Sequence, residues 1–416
     1  MRSRNVFTGA PLQIALAVVL TLGFFGTTVV DAVEFTTQHE YAVGSVPFFV
    51  ASGDVNGDGK SDLIIANGGG QTVSVLINRT QAGSSVADFA EQQEFLTNLG
   101  PATVAVTDIN QDGRLDLVAA SFNGRIAVLL NTAEPGATTA SFAPFFQFDG
   151  IAEVRSLAIA DMNNDGKADV VTNIEAISAA SVWINTTMAG ASVPSFESQQ
   201  NFDAGWTPMA VIASDINGDG KIDMVAGNNC YQTIGVLMNQ TEPGSLQVTL
   251  SPPQQFSTGT CAFYLASGDL NGDSKPDVVI GNPNLDSISV LINDTGANAV
   301  TASFNSPQVF GAGERPIGVL VSDINGDGRL DLLSANYDGS SVSVIVNTTV
   351  GAGGAVSFAE HQEFSVGTGT RTLVSADLNG DGLADVGTAN SSGNSASVLI
   401  NTTPPFNLLF TNGFDQ

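Results

Sequence analysis

Seven nine-residue stretches hold most of the chemistry that this chain can offer. The first is DVNGDGKSD at 54–62; DINQDGRLD, DMNNDGKAD, DINGDGKID, DLNGDSKPD, DINGDGRLD and DLNGDGLAD follow from Asp108, Asp161, Asp215, Asp269, Asp323 and Asp377. The pattern DxNxDGxxD offers side-chain oxygens at positions one, three, five and nine, a backbone carbonyl at seven, and a glycine at six for a sharp turn. Hard oxygens on a flexible loop suit Ca2+, whereas Mg2+ demands a stricter octahedron and Zn2+ prefers imidazole and thiolate. The expected ligands of the first loop are Asp54, Asn56, Asp58, the Lys60 carbonyl and Asp62. The equivalent sets are Asp108, Asn110, Asp112, Arg114 and Asp116, then Asp161, Asn163, Asp165, Lys167 and Asp169, then Asp215, Asn217, Asp219, Lys221 and Asp223. The last three are Asp269, Asn271, Asp273, Lys275 and Asp277, then Asp323, Asn325, Asp327, Arg329 and Asp331, then Asp377, Asn379, Asp381, Leu383 and Asp385. One lone copy reads equally well as a solvated acidic turn. Seven in phase, each gathering three mutually repelling carboxylates, point to as many as seven Ca2+ ions. The loop at Asp269 departs furthest, with Ser274 in place of the glycine and Pro276 after it.

The charge balance agrees with cations as partners. The net charge is −28, with 41 acidic residues against 13 Lys and Arg, and the loops hold 21 of the acids. Such a chain is repelled by nucleic acid and by anionic membrane surfaces. Seven divalent ions would bring −28 to −14. Hydrophobic residues still make up 43%, so acidity does not come with the poor hydrophobicity of a disordered chain. His39 and His361 are the only histidines, which leaves no His-dependent nucleophile site of usual geometry. A carboxylate-only glycosidase survives by count alone, since no pair of acids outside the loops stands out in sequence.

The elements that must position these loops recur with them. Successive loops start 54, 53, 54, 54, 54 and 54 residues apart, a period that signals a propeller or a solenoid. Each loop is preceded by a small-residue strand such as PATVAVTD (101–108) and followed by an apolar run such as DLIIA (62–66). A Gly/Asn/Ser-rich turn and a β-branched run such as TVSVLIN (72–78) come next. A fourth, outer strand carries an aromatic at Tyr41, Phe95, Phe148, Phe202, Phe256, Phe310 or Phe364, thirteen residues before the next loop. Each repeat therefore has strands a, b, c and d, with the acidic loop joining a to b. The residues VEFTTQHEYAVG (33–44) align with strand d yet precede the first repeat, while the seventh repeat lacks its own d strand. Pairing the two closes a ring and removes the exposed edges of an open array. The expected fold is an all-β, seven-bladed β-propeller over 33–403, with a tail at 404–416.

The chain resembles the FG-GAP/VCBS-type repeat proteins, related to the N-terminal propeller of integrin α-subunits. The resemblance covers nearly all of the chain after its leader, and an FG trace stands in FGAGERP (310–316). It departs where the GAP phrase after strand b is replaced by IANGG (65–69) or IGNPN (280–284). It implies calcium in the a–b loops on one face and partners on the opposite face.

The remaining candidates follow from this layout. Residues 1–32 read as a secretory signal, with Arg2 and Arg4, an apolar run from Leu12 to Val30, and Val30-Asp31-Ala32 before a cut at Val33. The alternative is an uncleaved membrane anchor. Cleavage would leave a secreted, periplasmic or cell-surface protein with no membrane insertion. Cys230 and Cys261 fall on connections of the face opposite the loops and fit one disulfide, or two buried thiols. Trp206, Tyr231, Tyr264 and Tyr337, with Arg155, Arg315 and Arg371, fall on the same face. They suit an extracellular protein or glycan, or else ordinary loop packing. Asn78, Asn185, Asn239, Asn293, Asn347 and Asn401 each begin an N-x-T triplet 24 residues after a loop start, read as turn chemistry or as glycosylation. The second repeat keeps Asn131 but has Ala133 in the third place. The functional expectation is a calcium-binding, noncatalytic binding or adhesion module. A lectin-like propeller is the alternative, and a polysaccharide-active enzyme a third reading.

Overall fold

The computed structural model describes residues 32–404 apart from 99 and 230. All but the last residue of the expected signal segment and all but the first of the expected tail lie outside them. The described chain forms seven antiparallel four-stranded sheets. Blade one is β2 (Pro47–Gly53), β3 (Asp62–Asn67), β4 (Thr72–Leu76) and β5 (Gln93–Leu96). Blade seven is β26 (Thr370–Ala376), β27 (Asp385–Asn390), β28 (Ser395–Leu399) and, from the other end of the chain, β1 (His39–Ala42). The β1–β28 ladder runs from His39 opposite Val398 to Ala42 opposite Ser395. The ring is thus closed by the N-terminal outer strand, as the misplaced d-strand sequence predicts.

Burial explains the strand sequences. Strand b is buried at all six positions in every blade because its two faces pack against the two neighbouring blades. The strand is therefore mostly apolar between its ends, and its buried polar ends, such as Asp62 and Asn67, are hydrogen-bonded. Strand d lies on the rim and alternates half-buried with exposed residues. The core is divided among blade interfaces: Ile64 and Ala66 pack with Leu117 and Ala119, and Leu63 and Ile65 pack with Ala389 and Val398 across the ring closure.

The outer-strand aromatics bind blade to blade. Tyr41 meets Phe89, Phe95 meets Phe142, Phe148 meets Phe196, Phe256 meets Phe304, Phe310 meets Phe358, and Phe364 meets Phe35, all edge to face at 4.8–5.4 Å. In the seventh place Leu250 packs in one cluster with Phe202. Such pairs add about 0.5–1.5 kcal/mol each beyond the area they bury. Tyr41 also donates its hydroxyl hydrogen to the Ala87 carbonyl at 2.8 Å. Tyr41→Ala is expected to lose about 2 kcal/mol in urea denaturation, because the substitution loosens the closing strand. An unchanged midpoint would show that β1 contributes nothing to closure in solution.

Candidate metal centres and the opposite face

In the first loop, backbone amides organise the acidic side chains. Asp54 Oδ1 and Asn56 Oδ1 both accept from the Asp58 amide, at 3.1 and 3.2 Å. Asp54 Oδ2 accepts from Gly59 N at 2.7 Å, and Asp58 Oδ1 from Lys60 N at 3.0 Å. The oxygens of positions one and three therefore lie together on one side of the turn. Gly59 has φ +87°, and a Cβ built there meets nothing within 4 Å, so backbone conformation and not space demands glycine. Ser274 takes φ +66° at the same place, and its loop keeps the amide bonds to both Asp269 oxygens, at 3.1 and 2.7 Å. The loop thus forms without its glycine, at the cost of a left-handed serine.

Position nine, expected in the ligand set, also holds two backbone amides. Asp62 is fully buried, with Oδ2 accepting from Val55 N at 3.0 Å and Oδ1 from Asn78 N at 2.8 Å. The other six ninth-position aspartates are buried alike, and each holds an amide with both oxygens. Burial pushes Asp62 up to about 7; the two amides pull it back, and the negative charges of Asp58 and Asp54 push it further. Among the described residues no group of three or more His, Cys, Asp or Glu side chains is gathered tightly enough to hold a metal ion.

The donor chemistry nevertheless fits a hard cation. Each carboxylate oxygen has a second lone pair beyond its amide bond. In the third loop Asn163 Oδ1 is buried at the ligand position without any hydrogen-bond partner. Two loops have a cation of their own: Arg114 Nη2 lies 2.6 Å from Asp112 Oδ2, and Arg329 pairs with Asp327. There the seventh residue offers its guanidinium to position five.

Asparagine does the rest of the positioning. The side-chain amide of Asn56 donates to the Ala137 carbonyl at 2.7 Å, on the c–d connection of the next blade, while the Asn56 carbonyl accepts from Gly136 N at 2.7 Å. The triplet asparagines form a second bridge. Asn78 Nδ2 donates to Ser61 O in its own blade and to Leu378 O in the preceding one, at 2.9 and 2.8 Å. Asn131 does the same to Leu115 O and Val55 O, and Asn185 to Ala168 O and Ile109 O. All seven are buried, which favours the turn reading over glycosylation. The threonine closes the turn: Thr80 Oγ1 accepts from Asp88 N at 3.0 Å. A third set, Asn67, Asn228, Asn282, Asn336 and Asn390, was not singled out in sequence although it recurs 13 residues after a loop start. Asn67 Nδ2 donates to Thr72 and Ser74 at 3.0 and 2.8 Å, pinning the end of strand b to strand c.

Removing a bridge leaves two buried carbonyls unpaired. Asn131→Ala and Asn185→Ala are each expected to cost about 3 kcal/mol in urea denaturation. The two losses should match even though only Asn185 belongs to a triplet. A neutral Asn131→Ala would show that the asparagine serves something other than the bridge.

The opposite face divides in two. Trp206 and Tyr231 are exposed, at 59% and 53%, and stack with centroids 5.3 Å apart. Tyr264, Arg155, Arg315 and Arg371 instead line a cavity of about 130 Å3 with Phe48 and Phe122, neither of which was singled out in sequence. Tyr337 joins this group through Arg315 and Arg371, which sit over its ring at 4.9 and 5.1 Å. Hydrogen bonding with Ser392 holds Tyr337 below the usual phenol range, while burial pushes Tyr264 up and Arg371 down. The expected Cys230–Cys261 bridge involves a residue outside those described; Cys261 is half-buried, with Asn284 Nδ2 donating to its sulfur at 3.8 Å.

Comparisons with known proteins agree with this architecture. The family described as FG-GAP-like repeat matches residues 54–119, 108–172, 269–334 and 323–388, more than half of the chain. A T-cell immunomodulatory protein homolog of Plasmodium yoelii yoelii is 30% identical over 34% of this chain, and one of Plasmodium falciparum (isolate 3D7) is 26% identical over 35%. Cartilage acidic protein 1 of Xenopus tropicalis is 23% identical over 67% of this chain. The chain spans 46% of the length of the Xenopus protein and 22% of each Plasmodium protein. Among solved structures, BBS1N in complex with ARL6DN superposes with a TM-score of 0.57 at 11% identity, over 89% of this chain and 97% of that one, a likeness of fold. With seven four-stranded blades, seven acidic a–b loops and a family match over more than half its length, the chain belongs to the FG-GAP-like repeat family and is an FG-GAP repeat propeller.

Proposed function

We propose that this propeller is a secreted or cell-surface binding module that engages a partner through the face opposite its acidic loops, with Ca2+ in those loops stabilising the ring. The single observation that carries the reading is the contrast between the two faces. At the loop end, conserved chemistry from repeat to repeat is turned inward, into amide and asparagine bridges between blades. At the other end, each repeat contributes something different: a stacked aromatic pair is exposed, and arginines line an axial cavity. Noncatalytic binding fits this division, since the two histidines of the chain fall at outer strands: His39 in β1 and His361 beside the strand Gln362–Ser365.

Calcium would act as a ligand of the folded state alone. At calcium ten times its Kd, each occupied loop adds about 1.4 kcal/mol to stability. Extracellular modules of this chemistry bind at about 10⁻⁴ to 10⁻³ M. The melting temperature is therefore expected to fall with EDTA and to rise again with about 10 mM CaCl2, while MgCl2 restores less. A melting temperature indifferent to both would end the calcium reading.

One observation favours a second reading. The Trp206–Tyr231 stack presents an exposed apolar ring surface of the kind that covers the face of a sugar. A glycan array probed with the full chain is expected to show no ligand if the module binds proteins. A glycan signal lost in Trp206→Ala and Tyr231→Ala would replace the proposal with a lectin.

A further inference from the structure

The cavity at the end opposite the acidic loops lies on the ring axis, because residues from all seven blades line it. Most of its wall is hydrocarbon: Phe48, Phe122, Phe263, Met209 and Ile317. Its three arginines are not equivalent. Arg155 is held by Glu153 and Glu175, both at 2.8 Å, and Arg315 lies 3.5 Å from Asp338. Arg371 has no carboxylate within ion-pair distance among the described residues, and its Nε is buried without a hydrogen-bond partner. Its guanidinium lies 4.2 Å from the centroid of Phe48 and 5.1 Å from that of Tyr337. Rings lie against the guanidinium and Tyr337 also takes a hydrogen bond from it, which leaves the remaining N–H groups of its edge as the binding surface. A partly buried cation with an unsatisfied donor is costly unless an anion completes it, and a guanidinium edge matches a carboxylate as a fork.

We propose that this axial pocket captures a single carboxylate of a partner polypeptide, with Arg371 as the primary contact and Arg315 beside it. The inference rests on the reading above that this end of the ring is the binding face. An acidic side chain flanked by apolar residues fits the walls. An acidic sugar fits worse, because its hydroxyls would meet Phe48, Phe122 and Ile317 and lose their hydrogen bonds to water. A polyanionic segment fits worse as well, since Glu153, Glu175 and Asp338 stand at the other two arginines and repel further negative charge. Arg315 stands on a left-handed turn, φ +55°, that recurs at Val46 and Thr207, and its amide is held by Asp286 Oδ1 at 2.8 Å, so the repeat's own turn fixes the backbone that carries it.

The test is calorimetric titration of the full chain, at about 0.15 M salt, with acetyl-Leu-Glu-Leu-amide, with its Gln counterpart and with glucuronic acid. The Glu peptide is expected to bind at least about tenfold more tightly than the Gln peptide, a comparison that needs no variant. The preference should fall below about twofold in Arg371→Met and be intermediate in Arg371→Lys, which keeps the charge and loses the fork. Equal binding of the two peptides overturns the proposal. So does glucuronic acid binding as tightly as the Glu peptide and failing in Arg371→Met, which would make the pocket a sugar-acid site. A Glu preference that survives Arg371→Met but disappears in Trp206→Ala refutes the pocket and leaves the binding face standing. A preference that survives both, with hydrogen-exchange protection on the acidic loops, refutes both readings.

Discussion

The propeller depends on one buried carboxylate per blade. The ninth aspartate of each loop holds the amide of the second loop residue with one oxygen and the amide of the asparagine after strand c with the other. That asparagine in turn reaches the loop of the preceding blade. A single side chain thereby ties the a–b loop to the end of the b–c hairpin, and the hairpin to its neighbour. The arrangement is expensive by itself, because burial and two nearby aspartates push this carboxylate well above its ordinary range. Under the proposal above, a cation among the three carboxylates would offset this repulsion, so the role of the proposed calcium would be structural.

The regularity of that end explains the irregularity of the other. The a–b loops and c–d connections must meet in the same way at every interface, so their sequence repeats. The d–a connections carry no such duty and vary. The inner strands β10 (Leu157–Ala160) and β18 (Leu265–Gly268) are four residues long where those of the other five blades have seven. The repeat period changes by one residue at most, so these two connections take up the difference, and they carry Arg155, Phe263 and Tyr264 into the axial cavity. Departures from the repeat are where a ring of equivalent blades acquires a direction and a site.

What the sequence made legible follows the same division. The loop spacing, the four strands and the displaced outer strand could be read because each is local, or recurs at one period. The outer aromatics were legible as anchors, but their pairing was not: Phe95 meets Phe142 47 positions away, across an interface that no pattern within one repeat reveals. The triplet asparagines were legible as turn residues, yet the carbonyl each reaches lies in another blade. The ninth aspartate was legible as an oxygen donor of the loop, but the amides of Val55 and Asn78 that it also holds were not, because spacing counts oxygens and is blind to amides that arrive from elsewhere. Asn67 and its equivalents went unread although in phase, since a buried amide ending an apolar strand looks like the start of a turn. The axial pocket was legible only as a shared face, because seven inner strands must converge before Arg371, Phe48 and Tyr337 become neighbours.

The distance between the ends bears on how loops and pocket influence each other. An inner strand of seven residues spans about 23 Å, whereas the screening length at physiological salt is about 8 Å. The negative charge of the loops is therefore largely screened at the pocket, and the local arginines govern what an approaching carboxylate meets. Halving the net charge with bound calcium would change long-range repulsion little at that mouth. Any influence of calcium on the pocket must instead pass through the strands. β26 is the direct route, since the loop at Asp377 adjoins its end at Ala376 and Arg371 lies near its beginning. A cation that fixes the loop would fix the strand carrying the arginine, and its effect on binding would be one of order and position, not of charge.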